Sequence, residues 1–72
     1  MDKTIDARGF SCPQPVLMTL DEISAMNSGE IVVLVDAEAA KENVIRAATS
    51  QGWLITSIRS EDDEYKITIS KD

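Results

Sequence analysis

Apolar residues change their spacing along the chain, and the changes divide its first half into a strand and a helix. Residues 3–6, Lys-Thr-Ile-Asp, are a short candidate strand whose inward residue is Ile5. From Pro13 onward apolar residues recur every three or four positions, which predicts a helix. Residues 27–29, Asn-Ser-Gly, are expected to end it, with Gly29 as a left-handed stop. The predicted core stripe of this helix consists of Val16, Leu20, Ile23 and Met26.

A nearly continuous apolar and β-branched run opens the second half of the chain, at residues 30–35. Such a run suits a central strand, or one buried on both faces. Asp36 interrupts it, and residues 37–52 then read as a second helix that Gly52 closes. The residues of this helix predicted to face inward are Ala40, Val44, Ala47 and Ala48.

Two strand-like segments end the chain, at residues 53–59 and 65–70, and the polar, acidic stretch between them predicts a hairpin turn. In the first segment Leu54, Thr56 and Ile58 are expected on one face, because side chains alternate along a strand.

The resulting order, βαβαββ, predicts an α+β fold. We expect a two-layer α/β sandwich with two helices on one face of a mixed four-stranded sheet. Right-handed crossovers make the first two strand connections parallel, and the closing hairpin is antiparallel. If the fourth strand lies between the second and third, the strand order is 1-2-4-3.

Composition narrows the range of functions. With 72 residues, the chain is expected to form one domain, residues 1–72. Its net charge of −6 argues against direct binding of nucleic acid. No signal peptide and no run of roughly 18 apolar residues is apparent, so we expect no membrane partner. A single cysteine without a secretion signal indicates the cytoplasm, and we expect a monomer when the chain is alone.

Cys12 is the only cysteine, and the chain contains no histidine. Pro13 suits the first position of a helix, which would place Cys12 at the cap. There the helix dipole and the backbone amides of Gln14 and Val16 would lower the pKa of the thiol. Pro15 removes one amide from this set.

Arg8, four residues before the cysteine, is a further candidate for stabilising the thiolate. Attack of a thiolate on a disulfide or persulfide sulfur needs no general base. The absence of histidine therefore excludes a Cys–His mechanism and leaves sulfur exchange open. Without a second cysteine to resolve it, Cys12 is also ill-suited to a thioredoxin-type dithiol cycle, and one thiol can carry one sulfur. From spacing alone, a reactive thiolate and an inert, buried cysteine both remain open.

Several other residues have two readings. Asp36 and Glu38 are expected to cap the second helix. Met18 is either an exposed partner contact or half-buried packing, and Trp53 is expected to pack in the core or at an edge. The acidic residues at 61–64 are expected to be solvated, not a calcium site, and no metal is predicted.

The segment Asp-Ala-Arg-Gly-Phe-Ser-Cys-Pro-Gln-Pro-Val-Leu resembles the TusA/SirA/YedF family of small sulfur-carrier proteins, whose signature is Cys-Pro-x-Pro at the start of the first helix. The resemblance covers the whole chain, and residues 35–44 are most similar to the YedF-like branch. It implies a fold similar to the C-terminal domain of translation initiation factor three. The residues at the family spacing are Asp6, Gly9, Cys12, Pro13 and Pro15.

The resemblance also implies a function. Cys12 would accept a persulfide sulfur from a donor such as a cysteine desulfurase and relay it to a downstream acceptor protein, without a cofactor. Whether the chain counts as an enzyme, a sulfurtransferase, stays open at this point. Two alternatives also stay open: a non-catalytic interaction or regulatory module, and a selenium-handling variant of the carrier.

Overall fold

The computed structural model describes residues 2–10 and 14–72. Within them the elements follow the predicted βαβαββ order. Neither helix in this part of the chain is long and apolar enough to cross a membrane. The elements are β1 (Asp2–Asp6), α1 (Gln14–Ala25), β2 (Gly29–Val35), α2 (Glu38–Ser50), β3 (Leu54–Glu61) and β4 (Glu64–Lys71).

The four strands form one mixed sheet in the order β1-β2-β4-β3, which confirms the predicted topology. β1 pairs with β2 in parallel, while β4 pairs antiparallel with both β2 and β3. β2 therefore has the central place that its apolar run predicts, and β1 and β3 are the edge strands.

Burial alternates along β2. Ile31, Val33 and Val35 are fully buried in the core, whereas Val32 and Leu34 between them are only half-buried. Because successive side chains point to opposite faces of a sheet, one face carries the core and the other is more open to solvent. β2 is thus a central strand but is not buried on both faces.

The second helix supplies small residues to this core. Ala40, Val44 and Ala48 are buried, as predicted, while Ala47 is half-buried on the flank of the helix. The spacing of four residues places the three buried side chains in one stripe that faces the sheet.

The predicted core stripe of α1 is partly wrong. The buried residues are Pro15, Thr19 and Ile23, whereas Leu20 is half-buried and lies outside the core cluster. Burial of the Thr19 hydroxyl is tolerated because Oγ1 donates a hydrogen bond to the carbonyl oxygen of Pro15, 2.9 Å away. The other apolar residues that pack partly buried on the core from this region are Val16, Met18 and Met26.

Gly52 closes α2 as predicted. Its φ is +84°, and its N–H donates to the carbonyl oxygen of Thr49 at 3.0 Å while the N–H of Trp53 donates to that of Ala48, also at 3.0 Å. These two bonds form a Schellman motif. The expectation for Gly29 is wrong: α1 has already ended at Ala25, and Gly29 is the first residue of β2, with φ +125°.

A β-bulge in β3 overturns the expected face of this strand. Leu54 pairs with Ser70 and Ile58 pairs with Ile67, with a register shift between them. The extra residue is Thr56, whose Oγ1 donates to the carbonyl oxygen of Thr68 at 3.1 Å. One inserted residue reverses the alternation. Ile58 consequently shares the face of buried Ile67, and Leu54 lies on the opposite face.

The acidic turn between β3 and β4 has the predicted hairpin geometry. Asp62 and Asp63 have φ values of 51° and 64°. Two consecutive positive φ values are what a two-residue type I′ turn requires, and Asp is among the residues that tolerate them.

Candidate functional site

The loop between β1 and α1 is held first by the backbone. The N–H of Ala7, a buried residue, donates to the carbonyl oxygen of Leu34 at 2.8 Å and so continues the pairing of β1 with β2. The N–H of Phe10 then turns back to the carbonyl oxygen of Ala7 at 3.4 Å. Residues 7–10 therefore leave the sheet along a defined path.

Arg8 joins this loop to two strands through its guanidinium group. Nε and Nη2 donate to the two carboxylate oxygens of Asp6, each at 2.9 Å, and Nη1 donates to Oε1 of Glu64 at 3.2 Å. The backbone N–H of Arg8 also donates to Asp6, at 3.2 Å. A bidentate pair of this kind adds directional specificity, although exposed ion pairs contribute little free energy.

This contact predicts an unusual titration of Asp6. The hydrogen bonds from Arg8 favour the carboxylate and lower the pKa of Asp6 from 3.8 to about 2. Since the folded pKa is depressed, the contact stabilises the fold above the ordinary pKa, and this contribution is lost as the pH falls through about 2. In an NMR titration of the side-chain carboxyl carbon we expect a midpoint near 2 in the wild type. Arg8→Ala should restore an ordinary value, and an ordinary midpoint in the wild type would contradict the contact.

Asp36 makes a contact that differs from the helix-capping role predicted from the sequence. Its Oδ2 accepts the N–H of Gly9 at 2.8 Å, across 27 positions of sequence. The expectation that it caps α2 is wrong, because Ala37 is the N-cap and no side chain caps this helix. Glu38 does lie in the first turn of α2, where its charge is favourable with the helix dipole.

The described part of α1 begins at Gln14. Gln14 is the first described residue of the helix and is exposed, Pro15 is buried, and Val16 packs half-buried against the core. The amides of Gln14 and Val16 thus belong to the first turn, whose N–H groups point away from the helix at its N-terminus.

Residues 11–13 lie outside the described residues. The expectations that Cys12 is the exposed cap of α1 and that Pro13 is its first residue therefore stay predictions. The same holds for thiolate stabilisation by Arg8. The structure adds that this guanidinium already binds the carboxylates of Asp6 and Glu64.

Two large apolar side chains flank the motif at the surface. Phe10, two residues before Cys12, is 49% exposed, and Leu17, five residues after it, is 50% exposed. Sequence reasoning does not single them out, because an apolar residue beside a helix start is ordinarily assigned to the core. Both are free to contact another protein.

A groove of about 300 Å³ lies between edge strand β1 and helix α1. Its charged lining residues are all acidic, namely Asp6, Asp21 and Glu22. Met18 also lines it while packing half-buried on the core, so its packing role is confirmed. Among the residues that the structure describes, no group of three or more potential ligands could hold a metal ion.

Comparison with known protein families decides the classification. The model of the family described as "Sulfurtransferase TusA" matches residues 3–71, nearly the whole chain. This chain belongs to the TusA family. The matched range spans Cys12 and its Cys-Pro-Gln-Pro motif, and it confirms the resemblance to the TusA/SirA family. The similarity to the YedF-like branch stays a prediction.

Individual TusA-family relatives agree. A protein of Methanocaldococcus jannaschii named "Putative sulfur carrier protein" is 33% identical over 70 residues, which cover 96% of this chain and 93% of the relative. One of Bacillus subtilis, with the same name followed by YrkI, is 31% identical over 97% of this chain and 95% of its own. The crystal structure of a SirA-like protein from Desulfitobacterium hafniense superposes with a TM-score of 0.87 at 28% identity, covering 94% of this chain and 95% of the other. It confirms the fold.

Proposed function

We propose that this TusA-family chain is a sulfur carrier that accepts a persulfide sulfur on Cys12 and passes it to an acceptor protein. The family match over residues 3–71 carries the proposal, because it spans the only thiol of the chain together with its Cys-Pro-Gln-Pro context. The donor is a protein persulfide such as that of a cysteine desulfurase. Residues 1–72 form one such carrier domain, working in the reducing cytoplasm.

The transfer conserves atoms and electrons without an added oxidant or reductant. The Cys12 thiolate attacks the terminal sulfur of the donor persulfide, a new S–S bond forms, and the donor S–S bond breaks. The donor cysteine leaves as a thiolate, and Cys12 becomes the persulfide. Delivery repeats the same displacement, with an acceptor thiolate attacking the terminal sulfur and Cys12 leaving.

The surroundings of the motif fit this chemistry. The first-turn amides of Gln14 and Val16 and the positive end of the α1 dipole favour an anionic sulfur. The exposed side chains of Phe10 and Leu17 can pack on a donor and then on an acceptor. The acidic groove beside β1 matches a partner with a basic surface, which would raise the rate of association.

A second candidate function is a non-catalytic interaction module that binds a partner through the same surface. The exposure of Phe10 and Leu17 favours it, since these side chains can bind without any thiol chemistry. Selenium in place of sulfur remains an alternative cargo, because the displacement is the same for both elements.

The pH dependence of Cys12 alkylation separates the two functions. For the carrier we expect the alkylation rate to titrate with a pKa below that of the same thiol in the urea-unfolded chain, which serves as the matched control. A folded-state pKa at or above that of the unfolded chain, with slow alkylation, would favour the interaction module.

A further inference from the structure

We propose that Asp36 is a positioning residue that fixes the loop carrying Cys12. This inference rests on the proposed sulfur transfer for its consequence, but the contact itself is a feature of the fold. Oδ2 of Asp36 accepts the N–H of Gly9 at 2.8 Å. Gly9 is three residues before Cys12, so their Cα atoms are at most roughly 11 Å apart.

The three residues that precede Phe10 are each held by a different group. Ala7 is held by the backbone of β2, and Arg8 by the carboxylates of Asp6 and Glu64. The N–H of Gly9 donates to the carboxylate of Asp36. Removing this one carboxylate should therefore release the Gly9 amide, while the anchors at Ala7 and Arg8 and the backbone bond from Phe10 to Ala7 persist.

Asp36 is well placed for this task because it directly follows β2, the central strand. Its neighbour Val35 is fully buried, so the backbone that carries the carboxylate is fixed by the core. Asp36 makes no cap for α2, whose N-cap is Ala37. The contact to Gly9 accordingly accounts for an acidic residue at this position, which local helix capping does not.

The backbone conformation of Gly9 also contributes to its hydrogen bond with Asp36. Its φ is +84°, a value that side-chain-bearing residues rarely adopt, and a Cβ there would meet nothing within 4 Å. Glycine is therefore needed for its backbone conformation and not for lack of space. This conformation directs the Gly9 N–H to the carboxylate.

Three variants separate the hydrogen bond from the charge. Asp36→Ala removes both, whereas Asp36→Asn keeps an oxygen that can accept the Gly9 N–H. Glu38→Gln, two residues away in the first turn of α2, removes one negative charge and leaves the contact intact. Gly9→Ala disturbs the same contact from the loop side, should Asp36→Ala fail to fold.

Two measurements report on these variants: hydrogen exchange of the Gly9 amide by NMR, and the second-order rate of Cys12 persulfidation by a small persulfide donor. In Asp36→Ala we expect Gly9 exchange to be about tenfold faster and persulfidation about tenfold slower, since a charge-assisted hydrogen bond is lost and the loop is less well oriented. Asp36→Asn should stay within about threefold of the wild type in both, as should Glu38→Gln. Gly9→Ala should resemble Asp36→Ala.

Unchanged exchange and unchanged persulfidation in Asp36→Ala would overturn the inference. Equal changes of Gly9 exchange and of the persulfidation rate in Asp36→Asn and Asp36→Ala would also overturn the inference. The negative charge of Asp36, and not its hydrogen bond to Gly9, would then be responsible for both effects. If the wild type takes up no sulfur, the proposed function fails separately. In that case the alkylation rate of fully ionised Cys12 replaces persulfidation as the second readout, with the same expected pattern.

Discussion

Cys12→Ser is expected to take up no sulfur from a small persulfide donor, whereas the wild type gains about 32 Da, the mass of one sulfur atom. The loss should be complete, because Cys12 is the only cysteine and the chain has no other thiol to substitute for it. A serine hydroxyl cannot form the S–S bond that holds the cargo. Intact-mass spectrometry of the two proteins after equal exposure measures the effect.

The matched control is Ser11→Ala, which alters the neighbouring residue and keeps the thiol. It should gain one sulfur, like the wild type. A sulfur adduct that persists in Cys12→Ser would place the cargo on another group and contradict the role of the motif. Two adducts on the wild type would contradict the capacity of one sulfur per chain, unless the second forms a longer polysulfide on Cys12, which peptide mapping would locate.

Trp53→Ala is expected to lower the free energy of unfolding by about 3–5 kcal/mol. Trp53 is 2% exposed and is among the largest fully buried side chains. Removing a buried tryptophan side chain costs about 3–5 kcal/mol. At roughly 0.05–0.15 kcal/mol per residue, a chain of 72 residues has a free energy of unfolding of roughly 4–11 kcal/mol. The substitution thus removes much of the total stability.

Leu54→Ala is the control for this loss, one residue further along the chain. Leu54 is 68% exposed on the open face of the sheet, so its truncation should change the free energy of unfolding by less than about 0.5 kcal/mol. Urea denaturation followed by circular dichroism compares the two variants with the wild type. A similar decrease in the free energy of unfolding in both variants would contradict the buried position of Trp53 and the exposed position of Leu54.

Most of the fold follows from the spacing of apolar residues. The run at residues 30–35 predicts a central strand, because apolar residues at successive positions indicate a strand covered by neighbours. The alternation before and after the acidic turn predicts the hairpin. The role of Gly52 at the end of α2 is predicted correctly, because a left-handed glycine that ends a helix is determined by the local sequence.

The predicted core stripe of α1 and the predicted face of β3 are wrong for two different reasons. In α1 a polar residue occupies a core position, and in β3 one residue is inserted. Thr19 reads as a surface residue, yet it is buried because its hydroxyl bonds to the carbonyl oxygen of Pro15 within the same helix. Thr56 is the extra residue of a bulge, whereas the sequence-based face of this strand rests on unbroken alternation. The burial of Thr19 and the bulge at Thr56 depend on how the helices and strands pack together, and neither follows from the periodicity of apolar residues.

The candidate site also has one part that the sequence predicts and another that only the fold reveals. The motif at residues 12–15 leads from sequence to the TusA family, whose model matches residues 3–71, and the reactivity of Cys12 stays a prediction. The role of Asp36 could not be predicted, since its partner Gly9 is 27 positions away and a local capping role is the simpler reading of an acidic residue before a helix. Only the fold brings the end of β2 beside the cysteine loop.

The most direct test of the sulfur-carrier function is the intact mass of the wild type after incubation with a cysteine desulfurase and cysteine. We predict a single adduct of about 32 Da on Cys12 that a thiol reductant removes and that Cys12→Ser lacks. An unmodified wild-type mass, obtained with desulfurases that turn over cysteine under the same conditions, would contradict the function.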